Sequence, residues 1–189
     1  MSAAQAYQRD GWVVINGPPA MTAAEVQEYF CDNKAATKLP GEWGRWRHQV
    51  NGTREARQLG RAMTASMNQA GLLNGRLELM DTPLGLYGIR TEPGAPQQGL
   101  PHTDWERQTF ERFELEDMPF SAIWAAAARF ELHGPAGEVI PVRKGQMAVF
   151  RGNWGHCGGR HCSSQLRVHA FGRRIGSNLI APLNVFGYQ

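Results

Sequence analysis

Two histidines and one aspartate in this sequence have the types and the spacing to hold a metal ion. His102 and Asp104 are separated by one residue, and His156 follows 54 positions after His102. If a strand carries His102 and Asp104, their side chains point to the same side, because alternate residues of a strand share a face. With His156 on a neighbouring strand, the three groups would form a two-histidine, one-carboxylate face. This ligand set is typical of non-haem Fe(II) centres with open coordination positions.

The residues around His156 favour metal binding over a purely structural role. The run 139–150 has the form of a strand, a Lys-Gly turn and a second strand, and it leads the chain through small residues to His156. Arg167 follows 11 positions later. An arginine suits a buried carboxylate because its planar guanidinium donates two parallel hydrogen bonds and stays charged away from water. The alternative is that His102 is a core histidine, Asp104 a turn residue and Arg167 a solvated cation.

A second metal pattern competes with the first. His156-Cys157 and His161-Cys162 form two His-Cys pairs five residues apart, and thiolates with imidazoles in tetrahedral geometry suit zinc. Adjacent residues of a strand face opposite sides, and the sequence has no second cysteine-rich hairpin, so we expect no structural zinc here. A metal-dependent cupin would share the strands. Cupins usually pair their histidines as His-x-His. Here Asp104 occupies the position of the second histidine, which argues against a cupin.

Composition predicts one domain with reduced cysteines. The chain has 189 residues, of which 42% are hydrophobic and 20% charged, so it can bury a substantial core. It shows neither a signal sequence nor a long apolar run, and we expect a soluble, cytoplasmic protein with no membrane partner. Three cysteines cannot all pair within one molecule. The net charge of +3 favours an anionic ligand only weakly, because lysines and arginines are spread along the chain.

We expect the N-terminal part of the chain to supply the helices that support these residues, and the later part to supply most of the strands. The run 11–16 is apolar and β-branched, which predicts a strand. A Thr-x-x-Glu capping box at Thr22 predicts the start of a helix that ends near Asp32. The Trp- and Arg-rich stretch 33–51 has no sustained period and is expected to be loop. Apolar residues at intervals of four then predict a second helix over 53–70.

Short strands separated by Gly and Pro are expected from position 76 onward. The predicted strands cover 76–80, 84–91, a segment around His102, a segment near Val139, 146–150, 166–173 and 179–186. The stretch Met118–Leu132 stays open, because its alanines favour a helix and its large apolar residues suit a buried strand. The expected class is α+β, mainly β. With no repeat or linker, we expect a single domain over 1–189, with helical support in 1–75 and a jelly-roll core in 76–189.

Taken together, these residues resemble the Fe(II)- and 2-oxoglutarate-dependent dioxygenase family from about Arg76 to Arg174. In that family the fold is a double-stranded β-helix, a cupin-like jelly roll backed by N-terminal helices. The resemblance implies that His102, Asp104 and His156 are iron ligands. It also implies that Arg167 anchors the distal carboxylate of 2-oxoglutarate.

The resemblance extends to residues near these positions. Tyr87 is placed like the tyrosine that often shares the distal carboxylate. His169 stands two residues after Arg167, where many members have Ser, Thr or Asn, and it could contact the cosubstrate, the substrate or neither. The residues that flank the ligands in sequence are candidates for lining the substrate pocket, and they are Trp105, Arg151 and Trp154.

The activity implied by the resemblance uses Fe(II), O2 and 2-oxoglutarate, releases succinate and CO2, and hydroxylates or otherwise oxidises an organic substrate. The halogenating branch of the family replaces the metal-binding carboxylate with a small residue, so Asp104 favours hydroxylation. The short chain favours a small-molecule substrate, while its basic balance keeps a nucleic acid or protein substrate open. A non-catalytic jelly-roll binding module is a further alternative. The sequence does not indicate the oligomeric state.

Overall fold

A computed structural model of the chain describes residues 1–30, 37–38, 46–81, 85–98, 101–163 and 165–181. The α-helices in these ranges are α1 (Ala3–Asp10), α2 (Ala23–Glu28), α3 (Arg57–Gln69) and α4 (Arg107–Phe110). The strands are β1 (Trp12–Asn16), β2 (Thr37–Lys38), β3 (Arg47–Asn51), β4 (Leu77–Leu79), β5 (Leu86–Thr91), β6 (Phe120–Trp124), β7 (Phe130–His133), β8 (Val139–Val142), β9 (Gln146–Arg151), β10 (Cys157–Gly158) and β11 (Gln165–Arg174).

Local capping signals begin both N-terminal helices. Helix α1 starts with a capping box between Ser2 and Gln5 and ends at Gly11, whose φ of 78° is in the left-handed region. Helix α1 was not among the predicted elements, although the Ser-x-x-Gln spacing and Gly11 are typical of a helix start and end. Helix α2 starts as predicted, with a reciprocal capping box between Thr22 and Glu25.

Helix α2 ends four residues before the predicted end at Asp32. It stops at Glu28, because the fully buried Phe30 leaves the helix and forms an isolated antiparallel bridge with Gly52. A tertiary contact therefore overrides the local preference for helix.

Helix α3 confirms the second predicted helix. A short 3-10 turn, Arg54–Ala56, leads directly into it. Its Leu59, Met63 and Met67 are buried and pack in a core cluster against the sheet. Burial of this stripe holds α3 on the sheet, since each buried apolar side chain contributes about 1.5–3 kcal/mol.

The major sheet is antiparallel and has eight strands in the described ranges. Its order is β1-β9-β6-β11-β5-β3-β2, and β4 pairs with a further section of β11. The strands β2 and β3 lie in 33–51, so the expectation of loop there was wrong for the described residues of that stretch. Strand β3 is polar in sequence, and its pairing with β5 decides its conformation. Residues 1–75 therefore contribute strands as well as helices, while the single-domain boundary remains a prediction.

The minor sheet has the order β10-β7-β8. The open stretch Met118–Leu132 is resolved into β6 and β7, which lie in different sheets. The strand predicted around His102 is wrong, because that residue forms a single β-bridge instead. Residues 179–181 are not in a strand, and the rest of the strand predicted over 179–186 lies outside the described residues. The architecture is the mainly β, double-stranded β-helix that we predicted.

The two faces of the major sheet have different roles. On β11, Val168 and Ala170 belong to the core cluster beneath α3. Arg167 and His169 alternate with them, so they point to the other face, toward the space between the sheets. That inner space contains both apolar packing and the buried polar residues described below. No helix in the described ranges is long and apolar enough to cross a membrane.

Candidate metal centre

The three candidate ligands converge beside β10. His102 and His156 form an antiparallel bridge in which each backbone N–H donates to the other residue's carbonyl oxygen, both at 2.8 Å. Asp104 lies in the bend that follows. Its Oδ1 is 3.9 Å from His102 Nε2 and 3.8 Å from His156 Nε2. One donor atom from each residue lies within 4.8 Å of the other two. The backbone bridge brings together residues that are far apart in the sequence.

The donor set fits a divalent metal ion. Two donors bonded to one ion at about 2.1 Å lie no more than about 4.2 Å apart, so both separations from Asp104 are compatible with a shared ion. Asp104 Oδ2 is buried and has no hydrogen-bond partner among the described residues. A metal ion could occupy the space beside such an orphaned oxygen. Two imidazoles and one carboxylate suit Fe(II) in particular.

Burial sets the charge of the cluster. It lowers the pKa of His156 to about 4, an effect that the carbonyl of Trp154 opposes and the charge of Arg167 reinforces. The His156 ring is therefore neutral near pH 7, which is the form that binds a metal. Burial raises the pKa of the Asp104 carboxyl, and the nearby His102 and Arg167 lower it. A bound cation would shift this balance further toward the carboxylate.

Aromatic side chains hold His156 in place. Its ring lies parallel to the Trp154 indole, with an interplanar angle of 4° and centroids 5.8 Å apart. The Phe150 ring packs at 4.4 Å. His156 Nδ1 is 3.5 Å from the carbonyl oxygen of Trp154, which orients Nε2 toward Asp104. Trp154 therefore supports a ligand, and it also contacts Trp12 at 5.9 Å.

Arg167 lies inside the fold and close enough to interact electrostatically with the cluster. Its side chain is buried, and Nε has no hydrogen-bond partner among the described residues. Burial and the charge of Arg47 lower the pKa of Arg167 to about 9, against the effects of Tyr87 and Asp104. The guanidinium remains a cation at neutral pH. A buried cation of this kind can bind an anionic ligand.

Tyr87 and His169 form a pair that lies close enough to both Arg167 and the metal ligands to interact with them electrostatically. They are directly opposite in the β5–β11 register, and their rings stack at 5.2 Å. The Tyr87 hydroxyl and His169 Nε2 are buried without a hydrogen-bond partner in the described portion of the chain. Burial raises the pKa of Tyr87, and burial together with Arg167 lowers the pKa of His169. Both side chains are therefore neutral and have hydrogen-bonding capacity to offer a ligand.

The structure places two of the residues predicted to line a substrate pocket, Trp105 and Arg151, on different sides of the major sheet. The Trp105 indole N–H donates to the Phe120 carbonyl oxygen at 3.3 Å, and its ring meets Phe171 edge-on at 5.5 Å. Arg151 lies on the helix side of β9, where Nη2 donates to the backbone oxygen of Gln8 at 2.9 Å. Trp105 thus packs in the inner cluster that also contains Tyr87, whereas Arg151 faces the helices, and the pocket-lining role of both residues remains a prediction.

Several buried polar residues near Arg167 were not predicted as functional. Arg47 on β3 is fully buried, and its Nη2 donates to the Pro96 carbonyl oxygen at 2.8 Å. His161 is also buried. In the sequence, His161 was a candidate only for the zinc site. Among the residues that the structure describes, the cluster of three potential metal ligands is formed by His102, Asp104 and His156, so the zinc alternative gains no support.

A separate cleft of about 280 Å³ lies on the helix side of the major sheet. It is bounded by α3, β4 and β5, and Ala170 of β11 contributes to its wall. Because Ala170 points away from the face that carries His169, the sheet separates this cleft from the metal ligands. We therefore assign the chemistry to the inner cluster and not to this cleft.

Solved structures with a similar fold are Fe(II)/2-oxoglutarate oxygenases. The epimerase SnoN, in complex with Fe3+, alpha ketoglutarate and nogalamycin RO, has a TM-score of 0.62 and 16% identity, covering 96% of this chain and 91% of its own. A Pseudomonas putida prolyl-4-hydroxylase has a TM-score of 0.60 and 18% identity, covering 92% and 98%. HygX from Streptomyces hygroscopicus, with nickel, 2-oxoglutarate and hygromycin B bound, has a TM-score of 0.56 and 12% identity, covering 93% and 88%.

No sequence-family profile matches the chain, and no curated protein matches it by sequence. The structural neighbours are members of the 2-oxoglutarate/Fe(II) oxygenase family at low sequence identity. The chain has the double-stranded β-helix fold of these oxygenases, and it carries a His-Asp-His cluster inside that fold. The resemblance seen in the sequence is thus confirmed at the level of the fold.

Proposed function

We propose that this protein is a non-haem Fe(II) and 2-oxoglutarate-dependent oxygenase. The observation that carries the proposal is the convergence of His102, Asp104 and His156 within 4.8 Å in the same interior that holds the buried Arg167. The cluster combines the donors of a metal site with a cation suited to an acidic cosubstrate. When bound, Fe(II) would supply the activation of O2 that couples decarboxylation of 2-oxoglutarate, to succinate and CO2, to oxidation of the substrate.

In this proposal the side chains bind and orient the reactants. His102, Asp104 and His156 hold the metal through three positions and leave the others open to small ligands. Arg167 binds the distal carboxylate of 2-oxoglutarate by paired hydrogen bonds, and Tyr87 donates its hydroxyl hydrogen to the same group. The surrounding aromatic residues exclude water and fix the ligands, so the protein contributes geometry while the metal contributes redox chemistry.

Hydroxylation of a C–H bond, or a related oxidation, is the proposed outcome. Asp104 supplies the carboxylate that halogenating enzymes of this kind lack. The structural neighbours include an epimerase, a carbocyclase and prolyl hydroxylases, whose names denote different reactions on a shared fold. The fold alone therefore does not select one reaction.

A small molecule is the proposed substrate. SnoN and HygX have nogalamycin RO and hygromycin B bound in their structures. One neighbouring prolyl hydroxylase is in complex with a peptide fragment, so the same chemistry on a protein is the second candidate. Candidate substrates can be ranked by how much each increases the rate of succinate release over the rate without substrate.

The proposed function can be tested by anaerobic addition of Fe(II) and 2-oxoglutarate to the purified protein. We expect a visible metal-to-ligand charge-transfer band in the wild type. Arg167→Ala should weaken 2-oxoglutarate binding by at least about tenfold, since a hydrogen bond to a charged group contributes about 1.5–3 kcal/mol. In Arg167→Ala the band should still form when the 2-oxoglutarate concentration is raised enough to offset the weaker binding, because the metal ligands are unchanged.

Two results would contradict the proposal. In the first, the wild type shows no charge-transfer band and the native protein retains no iron-class metal. A non-catalytic binding module would give this result. The other is an unchanged dissociation constant in Arg167→Ala. Arg160→Ala is a suitable control, since Arg160 is exposed and lies outside the cluster.

A further inference from the structure

A buried histidine that the proposed metal centre does not use lies next to Arg167. His161 follows β10 in a segment, 158–161, that is hydrogen-bonded to residues 94–98. Gln98 N–H donates to the Gly158 carbonyl oxygen at 3.0 Å, and His161 N–H donates to the Ala95 carbonyl oxygen at 3.0 Å. The backbone at both ends of the segment is thereby fixed. The His161 side chain is 1% exposed, so it points inward.

Neither ring nitrogen of His161 has a hydrogen-bond partner among the described residues. A buried imidazole without a partner is costly, because its ring nitrogens have lost the hydrogen bonds that water would provide. Burial, followed by the charges of Arg167 and Arg47, lowers the pKa of His161 to about 3. The ring is therefore neutral, with one N–H to donate and no positive charge of its own. Such a group complements an anion already attracted by neighbouring cations.

The surroundings of Arg167 indicate where that anion would lie. A Cβ on Gly158 would be 3.4 Å from Arg167 Nη1, so the segment 158–161 begins in close contact with the guanidinium. Arg167 Nε is also buried without a described partner, as is the hydroxyl of Thr91 on β5. Thr91 shares the inner face of its strand with Tyr87. Buried polar groups without a described partner are therefore found on β5, on β11 and in the segment 158–161, and the charge of Arg167 acts on His161.

We propose that His161 donates a hydrogen bond to the distal carboxylate that Arg167 binds, and that it makes the pocket select a keto diacid over a keto monoacid. This inference rests on the proposed function and adds a specificity-determining residue to it. A carboxylate has about four lone-pair positions, so a guanidinium can bind two of them and leave others for an imidazole N–H and a hydroxyl. A methyl group in the same place would leave all of these donors unsatisfied.

The test compares two ligands that differ only at the far end. The ligand 2-oxopentanoate has the same five-carbon chain as 2-oxoglutarate, with a methyl group in place of the distal carboxylate. Dissociation constants are measured anaerobically from the Fe(II) charge-transfer band. In His161→Phe we expect 2-oxoglutarate to bind about 10- to 100-fold more weakly, and 2-oxopentanoate to bind within twofold of wild type. His161→Gln, which keeps an N–H donor, should recover part of the loss.

His133→Phe provides a matched control. His133 lies against the same segment from the opposite side, since a Cβ on Gly159 would be 3.1 Å from its Nε2. Its replacement should change neither dissociation constant more than twofold. If His161→Phe bound both ligands more weakly by the same factor, the residue would only support the fold. Unchanged binding of 2-oxoglutarate would also overturn the inference.

A second measurement uses the wild-type protein and does not depend on a variant that folds. In 15N-histidine-labelled protein with Zn(II) in place of iron, the His161 ring N–H resonance should shift downfield with 2-oxoglutarate and stay in place with 2-oxopentanoate. The same response to both ligands would contradict the proposed bond. Absence of a charge-transfer band in the wild type would contradict the proposed function itself. A wild-type band without a shift of the His161 N–H resonance on 2-oxoglutarate binding would contradict only the role of this residue.

Discussion

At the scale of single residues, burial prepares the interior for a cation at one end and an anion at the other. The low pKa values of His156 and His161, about 4 and about 3, keep both rings neutral. Arg167 keeps its charge because a pKa of about 9 still lies above neutral pH. The interior therefore combines neutral imidazole donors with a fixed cation, which is the electrostatic arrangement that an acidic, metal-chelating ligand requires.

The depressed pKa of His161 predicts a pH dependence of stability in the metal-free protein. The unfolded chain takes up a proton at its usual pKa of 6.5, while the folded protein resists protonation of His161 down to about 3. The unfolded state binds more protons in this window, so the free energy of unfolding should fall as the pH drops from 6.5 toward 3. Above pH 6.5 the contribution of His161 to the free energy of unfolding should be constant.

Urea denaturation of wild type and His161→Phe at several pH values measures this effect. The variant should lose less stability than the wild type between about pH 7 and pH 4, because one of the histidines responsible has been removed. Parallel curves for the two proteins would show that His161 is solvated and would argue against its burial.

At the scale of elements, β11 joins the two ends of the site. Residues 165–170 pair with β5 and include Arg167 and His169, residues 168–172 pair with β6, and residues 172–174 pair with β4. The direction of these side chains depends on the register, since a slip of one residue would turn them toward the helices. Packing that fixes β11 against β6 therefore positions the anion-binding residues.

Gly172 is one residue that maintains this packing. A Cβ at this position would overlap with carbons of the buried Phe120 ring on β6. Gly172→Ala should destabilise the protein by about 1–3 kcal/mol, because the ring cannot move freely in a close-packed core. Chemical denaturation would measure this loss as a lower midpoint.

Gly60 offers a glycine control on α3. A Cβ there would meet Leu86 Cδ1 at 3.9 Å, an ordinary contact. Gly60→Ala should therefore be neutral or stabilise the protein by up to about 1 kcal/mol through higher helix propensity. If both alanine variants had the same stability, the assigned packing of Gly172 against Phe120 would be wrong.

At the scale of the whole molecule, folding and ligand binding are expected to be coupled. The three candidate metal ligands come together only through the β-bridge between residues 102 and 156, so the unfolded chain lacks the site. A ligand that binds only the folded state raises its stability by mass action. Metal and cosubstrate should therefore stabilise the entire domain, including helices far from the site.

Thermal unfolding measures this coupling. Mn(II) with 2-oxoglutarate, at 100 times the dissociation constant, should add about 2.7 kcal/mol and raise Tm by about 5–10 °C for a domain of this size. Asp104→Ala should abolish most of this shift, since it removes the carboxylate ligand. An equal shift in the variant would place the metal elsewhere on the protein.

The sequence by itself determined the features that depend on near neighbours. The capping box at Thr22 begins a helix, the four-residue interval of Leu59, Met63 and Met67 buries one face of α3, and short apolar runs become β9 and β11. These signals act within one or two turns or along one strand. The types and spacing of the candidate ligands were also sufficient to predict a shared metal cluster.

The tertiary structure decided what depends on residues far apart in the chain. The polar strand β3 forms because β5 pairs with it, and His102 reaches His156 through a bridge and not through a regular strand. The inward placement of His161 likewise depends on hydrogen bonds to the segment 94–98. Pairing and burial are set by distant partners, so no local period or propensity contains them. The same burial fixes the pKa values on which the proposed chemistry depends.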